Sequence, residues 1–200
     1  MHKDTCLAGV AALALLFAGS AFAQSEKLST NKAEPQSKPA IHKMSDSEFA
    51  RKANWANLAE VKLGDLAEQK ATTQAVKDFG QHMVTDHNKA EDNLKSAATK
   101  DNITLPGQLD ARDQATYDRL SKLSGQAFDR AYARDMVRGH AADVAEFRHE
   151  ATEGKDAAIK TFAAQTLPTL ENHLKEARKV LRSVSATNVS HAKNTSHTGA

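Results

Sequence analysis

Cysteine is nearly absent. The 200 residues carry one, Cys6, and it lies ahead of the first apolar run. Beyond that run there is no thiol, which excludes disulfides, thiolate metal ligands and a cysteine nucleophile. In that position Cys6 cannot be the acylated first residue of a processed lipoprotein either. Aromatics make up 5% of the chain and alanine supplies much of its 40% hydrophobic content, a mix that favours helices over sheets. No charge of one sign dominates: 27 basic and 25 acidic residues leave a net +2, interleaved as on solvated helix faces. A basic stripe with stacking aromatics is missing, which argues against nucleic acid as a partner. A nucleophile-elbow motif is missing too, so nucleophilic hydrolysis has no support.

Long hydrophobic runs are also lacking. The apolar stretch Leu7 to Phe17 is too short for a comfortable membrane span, but it suits a secretory leader. Lys3 provides the positive start and Ala21-Phe22-Ala23 an A-x-A cleavage site before Gln24. The expectation is a signal peptide over 1–23 and a periplasmic or secreted protein with no membrane span after cleavage. Residues 24–44, rich in Ser, Lys, Pro and Gln without a period, read as a flexible linker, and 185–200 as a disordered tail.

Between them, 45–184 read as a helical bundle. Ser45 and Glu48 have capping-box spacing and open a first helix ending near Lys70. Thr72 or Thr73 is expected to cap a second helix running to about Lys100, so the first two form an antiparallel hairpin. Asn102, Pro106 and Gly107 then break the chain, and a short helix around 109–123 precedes Ser124-Gly125. A fourth helix is expected over 126–153, stopped by Gly154, and a fifth from the cap Asp156 to Val184, kinked or restarted at Pro168. Ala59-Glu60-Val61 matches Ala142-Asp143-Val144, and Val76-Lys77-Asp78-Phe79 matches Ile159-Lys160-Thr161-Phe162, both at an offset of 83. Two similar hairpins joined by a long crossover with a short extra helix describe an all-α, ferritin-like four-helix bundle.

Several short motifs carry a family resemblance. They are Ala59-Glu60-Val61 with Gly64, Phe79-Gly80 with Met83 and Asp86-His87, Leu105-Pro106, and Phe128-Asp129. Met136-Val137 with His140, and Phe162-Ala163 with Leu167-Pro168-Thr169-Leu170 and His173, complete the set. From about Asp46 to Val180 the chain resembles the bacterial family called domain of unknown function 4142. That resemblance implies an exported protein with a ferritin-like bundle and no established activity.

Three of nine histidines interrupt apolar helical stripes. His87 follows Met83 by one turn, His140 lies between Val137 and Val144, and His173 follows Leu170. Glu60 interrupts the first helix in the same way, and Asp143, its counterpart in the repeat, flanks His140. His82 and His149 fall off the stripes, and His2, His42, His191 and His197 lie in the leader or the tails. Buried imidazoles must be hydrogen-bonded, ligated or charge-paired. One reading is a mononuclear copper, zinc or iron site built from Glu60, His87, His140, Asp143 and His173 on facing helices. The other is a core network in which Glu60 and Asp143 accept hydrogen bonds from the histidines, within a structural or interaction module of the cell envelope. Measured from each hairpin link, His87 and His173 lie about four residues, or ~6 Å, beyond the positions opposite Glu60 and His140. A standard di-iron oxidase centre is argued against by Val84 and Leu170, which stand where Glu-x-x-His needs glutamates. No haem attachment motif accompanies Met83.

Overall fold

The structure, a computed structural model, describes residues 44–195, with side chains to residue 186. The expected leader 1–23, the linker up to residue 43 and residues 196–200 lie outside the described residues. All regular structure within them is helical: α1 (Asp46–Lys70), α2 (Gln74–Lys100), α3 (Ala111–Ser121), α4 (Gly125–Glu153) and α5 (Ala157–Thr195).

Each helix start shows its chemistry. Ser45 Oγ accepts from the Glu48 amide while Glu48 Oε2 accepts from the Ser45 amide at 2.8 Å, a complete capping box. At α2 neither threonine side chain caps. Asp129, buried on α4, instead holds the link just before the helix from across the bundle, accepting from the amides of Thr72 at 3.1 Å and Thr73 at 3.0 Å and from Thr72 Oγ1 at 2.8 Å. Gly125 opens α4 with φ +60°, a left-handed conformation that glycine adopts without a Cβ clash. Asp156 caps α5 through the amides of Ala158 and Ile159. Pro168 lies inside α5, which remains a single helix and continues past Val184 to Thr195. Residues 185–195 contain neither Pro nor Gly, so nothing local stops it.

The chain ends of these helices fix the topology. Asp46 at the start of α1 accepts from the amides of Lys155 and Asp156 at the start of α5, and Asp129 at the start of α4 holds the α1–α2 link. Hence α1 and α5 run one way, and α2 and α4 the other. Around the bundle the order is α1, α2, α5, α4, so α2 and α4 lie on a diagonal and the crossover 101–124 carries the chain back along the bundle. Helix α3, within that crossover, packs on α1 and α4 and buries Leu120.

The interior is divided. One apolar cluster gathers Leu63, Leu66, Val76, Phe79, Met83, Phe128, Tyr132, Met136, Val180 and Val184. A second gathers Phe49, Leu94, Val144, Phe147, Ile159, Phe162 and Leu170. On every long helix buried polar residues stand between these clusters in sequence: Asn54, Asn57 and Glu60 on α1, His87 and Glu91 on α2, His140 on α4, His173 on α5. A polar layer thus crosses the bundle between two apolar ends.

Candidate metal centre

The antiparallel packing brings three imidazoles into that layer. Ring centroids are 5.7 Å apart for His87 and His140, 5.4 Å for His87 and His173, and 5.3 Å for His140 and His173. One ring nitrogen from each lies within 4.8 Å of the other two, and no histidine of the three is more than 2% exposed. The ~6 Å offset expected from the sequence closes by another route. The residue opposite His87 is Asn57, one turn before Glu60 on α1.

One nitrogen of each ring is anchored. His87 Nδ1 meets Asn57 Oδ1 at 3.0 Å, His140 Nδ1 meets the Met136 carbonyl at 3.0 Å, and His173 Nε2 meets Asp86 Oδ2 at 2.8 Å. All three partners only accept, so each of these nitrogens carries the proton. The Asn57 amide is itself oriented by Glu91, which accepts from Asn57 Nδ2 at 3.3 Å, from Asn54 Nδ2 at 2.7 Å and pairs with Lys95 at 3.4 Å. The remaining nitrogens, His87 Nε2, His140 Nε2 and His173 Nδ1, are buried lone pairs without a hydrogen-bond partner. Anchoring one imidazole nitrogen so that the other presents a lone pair is how proteins prepare a histidine to bind metal.

Burial also keeps the rings neutral. It pushes His140 down to about 4, helped by the facing His173 and opposed by the Met136 hydrogen bond. His87 lies well below the usual imidazole range, through burial first and then His140 and His173. His173 is lowered by burial against the opposing pull of Asp86. Three neutral imidazoles can ligate without first losing protons.

The carboxylates take different places. Glu60 Oε1 is 3.9 Å from His140 Nδ1, beyond hydrogen-bond reach, and Oε2 has no partner. Burial, then the charges of Asp143, Asp113 and Asp135, hold the Glu60 carboxyl well above its ordinary range. Asp143 is half-buried on the wall of a cavity of about 220 Å³ between α1, α3 and α4, which Glu60 also lines. Among the described residues neither carboxylate accepts a hydrogen bond from a histidine, so the pairing expected of a core network is not the one formed. The acceptors are Asn57, the Met136 carbonyl and Asp86. Reading apolar stripes passed over Asn54, Asn57 and Glu91, although their spacing (three before Glu60, four after His87) puts them on the buried faces. Asp86, adjacent to His87, faces α5 instead. His149 is exposed, and His82 is 61% exposed beside Glu176.

The model of the family described as domain of unknown function (DUF4142) matches residues 30–180. The chain belongs to that family. No curated protein sequence matches it. Among solved structures, a DUF305 fragment from Deinococcus radiodurans shares the fold at TM-score 0.60 and 13% identity, over 68% of this chain and 94% of that one. A DUF305 protein from Streptomyces coelicolor gives 0.59 and 13%, over 70% and 94%. CopM, solved in its Cu(I)-bound form, gives 0.58 and 14%, over 70% and 98%. At such identities the likeness is one of fold. No helix of the described residues is long and apolar enough to cross a membrane.

Proposed function

We propose that this DUF4142 protein binds one transition-metal ion through His87, His140 and His173, with cuprous copper the best-suited ion. The observation that carries the reading is the set of three buried, unpartnered imidazole nitrogens, each backed by an acceptor on its opposite edge. Imidazole suits copper, zinc and iron alike, but three neutral donors with no anionic ligand leave the full ionic charge in the core. A monovalent ion makes that burial least costly. Trigonal ligation at about 2.0 Å needs nitrogens about 3.5 Å apart, so ring nitrogens now within 4.8 Å of one another would approach by about 1.3 Å at most. A protein of the same fold that holds Cu(I) adds support. The leader expected over 1–23 supports a role outside the cytoplasm, in metal handling or envelope stress. Glu60 and Asp143 are then neighbouring carboxyls rather than ligands.

Thermal unfolding with and without each ion tests this. At a hundredfold excess over Kd, Cu(I) is expected to stabilise the protein by about 2.7 kcal/mol. The gain should vanish in His140→Leu and persist in His149→Leu. No shift with Cu(I), Zn(II) or Fe(II) would leave the polar layer as a structural network in an envelope interaction module.

A further inference from the structure

The cavity between α1, α3 and α4 is not part of the imidazole cluster, yet its floor touches the back of it. Glu60, Met136 and Gly139 all line the cavity. Met136 also holds His140 Nδ1 through its carbonyl, Glu60 Oε1 lies 3.9 Å from the same nitrogen, and Gly139 precedes His140 in the chain. The His140 ring therefore stands as the partition, with its Nδ1 edge toward the cavity floor and its Nε2 edge toward the other histidines.

Six carboxyl side chains line the cavity against three cations, Lys52, Arg112 and Arg138, and Arg112 offsets part of the charge of Asp113 and Asp143. Asp135 is held by Arg119 and Arg138, and Glu146 by Lys52 at 2.5 Å. Asp113, Asp143 and Glu60 make no ion pair with Lys or Arg among the described residues. Glu60 is only 6% exposed and its Oε2 has no partner. A buried carboxyl without a partner at the bottom of an acidic cleft keeps its proton until a cation arrives to take its place. The carboxylates do not gather into a coordinating group, since the three histidines form the one such cluster among the described residues. The cavity's chemistry is therefore that of a passage, where field focusing concentrates cations without binding them tightly.

We propose that this cavity is the cation's way into the His87/His140/His173 site, with Asp113 and Asp143 at its walls, Glu60 as the last carboxyl on the path and the His140 ring as the gate. The inference rests on the metal-binding reading and adds the route and the residues that set its speed. Small residues keep the route open. A Cβ added at Gly139 would meet nothing nearer than Glu60 Oε1 at 3.6 Å, so there is room for a side chain to fill it.

Two sets of variants test the route in the full-length protein, with Cu(I) supplied from and withdrawn to a colorimetric bicinchoninate chelator. Gly139→Leu and Ala142→Leu plug the cavity without altering any imidazole. Loading and release are expected to slow together at unchanged Kd, the signature of a blocked path rather than a damaged site. Asp113→Asn with Asp143→Asn leaves the path open and removes the field. Loading is expected to fall about tenfold at low salt and to lose its ionic-strength dependence. Wild-type loading and release rates in both sets would overturn the route while leaving the site intact. Wild-type protein that takes up no Cu(I) would overturn the site and the route with it.

Discussion

His140 has one edge fixed on the Met136 carbonyl and the other facing two imidazoles, and its burial sets a sign for how stability follows pH. In the unfolded chain it takes a proton near 6.5, in the folded one near 4. Its contribution is therefore complete above about 6.5 and is lost as pH falls toward 4, on the order of 3 kcal/mol over that window. In metal-free protein, the stability difference between wild type and His140→Leu should widen as pH rises from 4 to 6.5, measured by urea denaturation. A difference independent of pH would mean the ring is not held neutral by burial. Asp143 has the opposite sign. Burial, with Glu146 and Asp113 nearby, raises it to about 7, so its share of stability is present at low pH and lost as pH rises through 7. Asp143→Asn should gain on wild type across that interval in the same titration. The anchoring partners make a separate prediction: Asn57→Leu leaves His87 free to turn and should weaken metal binding about 10–100-fold, read by chelator competition. An unchanged Kd would remove Asn57 from the site.

The long helices hold the imidazoles in register by close backbone contact. A Cβ at Gly80 would lie 2.8 Å from Ala67 Cβ and 2.9 Å from the Gly64 carbonyl oxygen, and one at Gly64 only 2.6 Å from the Gly80 carbonyl oxygen. Helices α1 and α2 therefore meet there with no room for a side chain. Gly80→Val should cost about 1–3 kcal/mol by forcing them apart, and should also weaken metal binding by moving Asn57 relative to His87. Full stability in that variant would show the hairpin is loosely packed. At this scale the sequence was most legible. The Ser45–Glu48 cap and the hairpin breaks are local patterns, and local patterns set helix boundaries. Asp129 was not legible as the anchor of the α1–α2 link, because it reaches the Thr72 and Thr73 amides from another helix. The same reason hid Asn57, Glu91 and Asp86. Their roles come from which helix lies opposite, and polar residues on a helix read as solvent-facing until that is known.

Across the whole molecule the polar layer separates two apolar clusters, so the four long helices meet at mid-height mainly through polar side chains, with only Ala59 and Ala90 as buried apolar residues beside them. An ion held by α2, α4 and α5 together would tie these helices at their least apolar level. Hydrogen exchange should then slow on metal loading around His87, His140 and His173, with smaller changes near Phe49 or Val184. The histidine stripe was readable from period alone, as His87, His140 and His173 each replace an apolar residue. The exclusion of Asp143 from the imidazoles' hydrogen bonds was not, because the repeat that pairs it with Glu60 says nothing of the cavity both residues line. The most direct test of the whole account is X-ray absorption at the copper edge. It should be made on full-length protein with one equivalent of Cu(I), with Cys6 changed to Ser and His2, His42, His191 and His197 changed to Ala. The account predicts three imidazole nitrogens at about 2.0 Å and loss of that shell in His140→Leu. A sulfur-dominated shell, or a spectrum unchanged by His140→Leu, would contradict it.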